Sequence, residues 1–142
     1  MAKNNMAGWS LALLRIYLGV MFTLHGYTKL FIPGMLPGTA TFFSQIGIPM
    51  GNVAAVLVAL AEFVGGLLLI IGLLTKWTSI VLIVEMVVAF LKVHLKSGFF
   101  VSGSAYGYEY VLLIIAVLIV LLFSGPGNFS IGKLLFKNKN LH

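Results

Sequence analysis

The stretch from Trp9 to Phe31 constrains the fold of this chain most, because it is apolar and yet carries Arg15, His25 and Lys29. As a helix it is about 35 Å long, which is enough to cross the hydrocarbon core of a bilayer. At about 100° per residue, one stripe of this helix contains Arg15, Gly19, Phe22, Gly26 and Lys29. Charge that faces lipid is costly, so we expect this stripe to face other helices or a wet cavity.

The composition excludes a water-soluble domain. Of the 142 residues, 61% are hydrophobic and 8% are charged, whereas soluble domains have about 25% charged residues. We therefore expect an integral membrane protein. The chain has no cysteine, which excludes disulfides and cysteine-ligated metal or iron–sulfur centres within it. The net charge of +6 does not indicate nucleic-acid binding, because the basic residues lie at the ends of apolar runs.

Proline, glycine and polar residues divide the apolar sequence into four predicted spans, at about residues 9–31, 52–74, 77–95 and 107–124. Pro33, Pro37 and Pro49 prevent a continuous helix between the first two spans. Thr39–Ile46 is long enough for a short helix at the membrane interface. The predicted fold class is all-α, an integral membrane four-helix bundle with this short interfacial helix, in a single domain over residues 1–142.

The distribution of lysine predicts how the chain is oriented. With four spans, both termini and a short turn at Thr75 and Lys76 lie on one side of the membrane. That side carries Lys3, Lys76, Lys133, Lys137 and Lys139. The opposite side carries Lys29, Lys92 and Lys96. The positive-inside rule therefore favours cytoplasmic termini, in a multi-pass protein of a bacterial-type inner (plasma) membrane.

All three acidic residues, Glu62, Glu85 and Glu109, lie inside apolar runs, which indicates ion pairing within the membrane. At about 1.5 Å per residue from the cytoplasmic helix ends, Arg15 lies about 9 Å deep, Glu85 about 12 Å and Glu62 about 18 Å. We therefore predict a polar core in which Arg15 pairs with Glu62, Glu85 or both. Such a core either fixes the helix register alone or also takes part in function.

A second group of ionisable residues lies deeper, at about 22–30 Å by the same count. It consists of His25, Lys29, Lys92, His94 and Glu109. We predict a ligand-binding site formed by His25, Lys29 and Glu109, because a histidine exchanges protons near neutral pH and neighbouring charges tune it. Two alternatives stay open: His25 bonds a neighbouring helix in a packed interior, or Glu109 only stabilises the start of its helix.

Several cofactor and catalytic classes are disfavoured. Haem would require His25 and His94 to turn their rings inward together, whereas a regular helix points His94 away from the face of Glu85. No acids and histidines have metal-ligand spacing, and no glycine-rich phosphate loop or hydrolytic triad is recognisable. We therefore assign no catalytic residue, no metal and no covalently bound cofactor, and leave open whether the chain is an enzyme.

The order of these features resembles the DoxX family of small four-helix membrane proteins. The matching residues are Arg15, Gly19, Gly26 and Lys29, then Gly47-Ile48-Pro49, then Glu62, Gly65, Gly66 and Gly72, then Glu109 and Gly125-Pro126-Gly127. The resemblance covers nearly the whole chain. The family's closing turn often continues to a basic residue and an acid, whereas Asn128-Phe129-Ser130-Ile131-Gly132 follows here.

The resemblance implies a membrane location and a redox association. Some members of the family look like membrane subunits of quinone-linked sulfur-compound oxidation, and others are associated with oxidative-stress complexes. We therefore expect a redox-associated subunit that binds quinone or another small hydrophobic ligand and serves a redox partner protein. The alternative is a non-enzymatic carrier or assembly module with a polar, ligand-holding core. The expected surroundings are the lipid bilayer, the redox partner and, as a further option, copies of the same chain in a homo-oligomer.

Overall fold

The computed structural model describes residues 2–101 and 107–135, with side chains from residue 6 onward. These residues are helical and contain no strand. The helices are α1 (Ala2–Phe31), α2 (Met35–Gln45), α3 (Gly51–Ile71), α4 (Thr75–Ala89), α5 (Glu109–Ser124) and α6 (Ile131–Leu135). α4 continues as a π-helical turn, Phe90–His94, and a 3₁₀ turn, Leu95–Ser97. The predicted all-α class is confirmed.

Within the described residues, three helical stretches are long and apolar enough to cross a membrane: Met6–Phe31, Gly51–Ile71 and Thr75–Ser97. The 16 residues of α5 give a length of about 24 Å, so this apolar helix is shorter than a typical hydrocarbon core of about 30 Å. The helices form a membrane bundle, as predicted. The single domain over residues 1–142 stays a prediction, and the side chains of Lys3, Lys137 and Lys139 lie outside the described part of the chain.

The turn between α3 and α4 lies earlier in the chain than predicted, because it is formed by the three residues between Ile71 and Thr75. Gly72 ends α3 with a φ of 70°, a left-handed conformation that glycine adopts without strain. Leu74 also has a positive φ, of 52°, and directly precedes α4. The prediction that Thr75 and Lys76 form this turn is therefore wrong, because the cap at Gly72 ends α3 sooner and both residues begin α4.

α1 and α3 pack closely and antiparallel through small residues. A Cβ at Gly19 would lie 2.8 Å from the carbonyl oxygen of Gly66, and one at Gly26 would overlap the backbone of Phe63. Because both positions lack a Cβ, the two backbones can approach closely. The predicted inward stripe of α1 is confirmed, since Arg15, Gly19, Phe22 and Gly26 are buried and Lys29 is half-buried.

The apolar core lies between α1, α3, α4 and α5. It consists of Leu18, Phe22, Leu69, Leu82, Ile114, Leu118 and Leu121. α4 packs against both α3 and α5, and α2 lies against α3. A short helix between the first two spans is therefore present, although it covers Met35–Gln45 rather than Thr39–Ile46. It starts earlier because Gly34 adopts a left-handed conformation, with a φ of 82°, and caps the helix at Met35.

A Gly26→Ala substitution is expected to lower the free energy of unfolding by about 1–3 kcal/mol, because the added methyl group would push α1 and α3 apart. Gly38→Ala in α2 is the matched control, since a Cβ at Gly38 would have nothing within 4 Å. Thermal unfolding of both variants in the same detergent measures the difference. Equal melting temperatures for the two variants would contradict the close approach of α1 and α3.

Candidate functional site

Arg15 is fully buried in α1, and within the described part of the chain its guanidinium donates only to main-chain carbonyls. The accepting carbonyls belong to Leu69, Ile70, Pro126, Asn128 and Phe129. Nε lies 2.9 Å from the oxygen of Pro126, and Nη2 lies 2.9 Å from that of Phe129. The donors of the guanidinium are therefore satisfied without a carboxylate.

The end of α3 explains this bonding. The last carbonyls of a helix have no partner inside the helix and carry a partial negative charge, which a cation stabilises. Leu69 and Ile70 supply such carbonyls in the last turn of α3. The predicted pairing of Arg15 with Glu62 or Glu85 is therefore wrong, because helix-end carbonyls take the place of the acid.

The chain after α5 completes what we call the Arg15 junction, formed by Arg15, Gly72, Gly127 and Ser130. The Ser130 hydroxyl donates to the carbonyl of Gly72 at 2.7 Å. A Cβ at Gly72 would lie 2.7 Å from Nη1 of Arg15, and one at Gly127 would lie 2.8 Å from the backbone nitrogen of Ala12. The junction joins α1, the end of α3 and the segment after α5, so its role is structural.

Lys29, Glu62 and Glu85 form a charged cluster contributed by α1, α3 and α4. Nζ of Lys29 and Oε2 of Glu62 make an ion pair, with 18% and 7% of the two side chains exposed. Glu85 lies within hydrogen-bonding range of Glu62. The Oε2 atom of Glu85 is buried and has no hydrogen-bond partner among the described residues. Among the described residues, the cluster thus contains one ion-paired carboxylate, that of Glu62, and a second carboxyl group, that of Glu85, without an ion-pair partner.

Helix geometry brings the Lys29 and Glu62 side chains together. Side chains lean toward the N-terminus of their own helix. Lys29 near the end of α1 leans back into the bundle, and Glu62 leans toward it from the antiparallel α3. Phe31 and Phe63 pack edge to face beside the pair, with ring centroids 5.4 Å apart. Lys29 therefore forms an ion pair inside the bundle and does not extend past the end of its helix, as a lysine near a helix end often does.

The other two residues of the predicted ligand site lie elsewhere. His25 is exposed on α1, whereas Glu109 is half-buried at the start of α5. The Glu109 carboxylate accepts a hydrogen bond of 2.7 Å from the Val101 N–H. Among the described residues, no hydrogen bond or ion pair joins His25, Lys29 and Glu109, and no cluster suits a metal. A ligand-binding role for the three residues stays a prediction.

A groove of about 230 Å³ between α1 and α5 has no counterpart in the predicted site. Tyr17, Met21 and Tyr110 line it together with aliphatic side chains. The Tyr110 hydroxyl donates to Sδ of Met21 at 2.8 Å. The sequence contains a signal for this surface, because Leu14, Tyr17, Leu18 and Met21 have helical i, i+3, i+4, i+7 spacing. The groove is an apolar slot with phenolic hydroxyl groups at its side.

Apolar helices of spanning length that bury charged residues between them define a multi-span helical membrane protein with a polar interior. Residues 10–95 match the DoxX family, and the chain belongs to this family. The resemblance noted from the sequence is thereby confirmed.

Three bacterial proteins are similar to this chain over most of its length. It is 32% identical over 127 residues to "Putative oxidoreductase CatD" of Bacillus subtilis, covering 89% of this chain and 87% of that protein. It is 34% identical over 137 residues to an uncharacterised membrane protein of Mycobacterium tuberculosis, covering 90% and 82%. It is 36% identical over 130 residues to an uncharacterised protein of Haemophilus influenzae, covering 89% and 91%. No solved structure matches the chain.

Proposed function

We propose that this chain is the membrane subunit of a redox system and that it holds a quinone next to Lys29, Glu62 and Glu85. The observation that carries the proposal is the charged cluster, in which a partly exposed Lys29 meets two carboxyl groups inside apolar helices. The relative of Bacillus subtilis that is named an oxidoreductase supports the redox assignment. A partner protein with the redox centre would dock on the bundle.

The chemistry of the cluster suits quinone reduction. A quinone needs an apolar environment, hydrogen bonds at its carbonyl oxygens and a supply of protons. The Lys29 ammonium can donate a hydrogen bond to a carbonyl oxygen, and the Glu85 carboxyl group can bond the second polar end of the ligand. Reduction to the quinol takes two electrons, which the partner supplies, and two protons, which the carboxyl groups pass on from water.

Access to the cluster favours a ligand that arrives from the bilayer. Tyr110 at the start of α5 contacts Met21, whereas α1 continues to Phe31. At about 1.5 Å per residue, α1 thus extends about 15 Å past the level of this contact. Lys29 lies on this extension. A flat hydrophobic molecule can therefore approach beside α1 without first displacing α5.

Equilibrium binding of a short-chain quinone to the purified protein in detergent tests this proposal. Saturable binding is expected, and Glu85→Gln should weaken it about tenfold or more, which corresponds to one strong hydrogen bond. His25→Gln and Glu109→Gln are the matched controls and should bind as the unmodified protein does. Absence of saturable binding would contradict the proposal. Weaker binding in only the two controls would move the site to the group His25, Lys29 and Glu109.

The groove between α1 and α5 favours a second candidate function, a non-enzymatic membrane carrier or assembly module. The described residues that line the groove have phenolic hydroxyl groups but include no acid, lysine, arginine or histidine, so the groove suits a hydrophobic ligand that undergoes no proton chemistry. Flux of such a ligand through liposomes that contain the protein, without any change in its redox state, would favour this candidate. Quinone reduction with an added redox partner would favour the first.

We also propose that both chain termini face the cytoplasm, as the lysine distribution predicts. The chain has no cysteine, so single cysteines can be introduced without a background. Lys133→Cys in α6 should be protected from an impermeant thiol reagent in intact cells, and Ser97→Cys at the opposite end should be labelled. Both positions are exposed. The reverse labelling pattern would overturn the proposed orientation.

A further inference from the structure

The charged cluster has an excess of one negative charge if all its members are ionised. Lys29 contributes one positive charge, and Glu62 and Glu85 contribute two negative charges. Arg15 does not compensate, because its donors are used at the Arg15 junction. An unpaired charge among apolar helices is costly, so a bound cation or proton is expected to neutralise the cluster.

The geometry of the two carboxyl groups favours a proton. A hydrogen bond between two carboxyl groups requires a proton on one of them, since an ionised carboxylate only accepts. Glu62 already accepts from Lys29, and Glu85 lies within hydrogen-bonding range of Glu62. Lys29 and Glu62 then form a neutral ion pair, and a protonated Glu85 adds no charge. This arrangement leaves the cluster with no net charge.

Among the described residues, the charged groups that act on Glu85 are Glu62 and Lys29, and the other helices bring no further charge to the cluster. α2 contains no ionisable residue. The ionisable residues at the start of α5 have other partners, since Glu109 accepts from the Val101 N–H and Tyr110 donates to Met21. In the π-helical turn beyond Glu85, Lys92 is exposed and His94 is half-buried. The charge balance therefore rests on Lys29, Glu62 and Glu85.

We infer that Glu62 and Glu85 together bind one exchangeable proton inside the bundle, with Glu85 as its main carrier. The inference goes beyond the proposed function, because the proton is held before any ligand binds. It also gives that function a proton donor, since a negative charge that develops on a ligand beside Lys29 would draw this proton from Glu85. Replacement of the proton must then come from water, through the partly exposed side of Lys29.

Infrared spectroscopy tests this inference directly. The chain contains three acidic side chains, all of them glutamates, so the carbonyl stretching band of a protonated carboxyl group has few sources. The protein is purified in a detergent without ester or carboxyl groups, and the band is identified by its shift in D₂O. At neutral pH one protonated carboxyl group per chain is expected. Glu85→Gln and Glu62→Gln should both abolish its band, because each leaves one carboxylate paired with Lys29.

Glu109→Gln is the matched control and should keep the band at full intensity. A wild-type protein without the band would overturn the inference, and so would a band that persists in both Glu62→Gln and Glu85→Gln. A band that is lost only in Glu109→Gln would place the proton on Glu109 and would also overturn the inference. The measurement needs no quinone, so a failure of quinone binding and a failure of this inference are distinguishable.

Discussion

Replacing Arg15 with methionine is expected to lower the free energy of unfolding by about 3–5 kcal/mol, the largest effect of any single substitution outside the charged cluster. The substitution would leave five carbonyl acceptors at the Arg15 junction without their donor. Thermal or denaturant unfolding of the purified protein in detergent measures the loss. Since methionine has a similar length, the loss would report hydrogen bonding and charge more than packing.

Two further variants show whether hydrogen-bond geometry or charge matters at this site. Arg15→Lys keeps the charge but provides three donors from a single atom, so it should recover only part of the loss. Lys133→Met removes an exposed cation from the same end of the bundle and should change stability by no more than about 0.5 kcal/mol. If Arg15→Met and Lys133→Met unfold at the same temperature or denaturant concentration, the hydrogen bonds of the junction contribute no stability, which would contradict this prediction.

Removing the cation of the charged cluster is expected to have an effect of similar size. Lys29→Met would leave Glu62 and Glu85 buried without a counter-charge, at a cost of about 3–5 kcal/mol at neutral pH. The deficit should shrink as the pH falls, because the folded variant takes up protons that its unfolded state does not hold. Unfolding curves recorded at several pH values measure both effects.

The partner substitution provides the control for this prediction. Lys29→Met combined with Glu62→Gln removes both charges of the ion pair, so most of the lost stability should return. Lys92→Met removes an exposed cation from the same end of the bundle and should be nearly neutral. A double variant that is no more stable than Lys29→Met alone would show that the ion pair does not account for the loss.

Periodicity was sufficient to predict the inward face of α1. Arg15, Gly19, Phe22 and Gly26 share one stripe at helical spacing, and all four are buried. This prediction works because polar and small residues are rare in an apolar helix, so their common direction is visible in the sequence. His25 lies outside that stripe and is exposed. Its depth matches that of Lys29, but depth alone does not indicate which face of the helix a residue occupies.

The partner of Arg15 could not be read from the sequence for a physical reason. Its acceptors are main-chain carbonyls, which every residue has, so no residue type marks them. Long side chains also reach beyond the depth of their own backbone, which a count of residues along the helix does not include. Lys29 leans back into the bundle and forms the ion pair with Glu62 that was expected for Arg15. The charged residues were thus recognised correctly, but the partner of Arg15 was not.

The Arg15 junction also dictates the order in which the protein is assembled during synthesis. Arg15 precedes its acceptors Pro126, Asn128 and Phe129 by 111, 113 and 114 residues. At about 5–20 residues per second, a ribosome needs roughly 5–20 s to make the intervening chain. During this interval the first helix waits in or beside the membrane with a guanidinium that lacks three of its acceptors. Closure of this end of the bundle is therefore a late event, which must follow insertion of the last long helix.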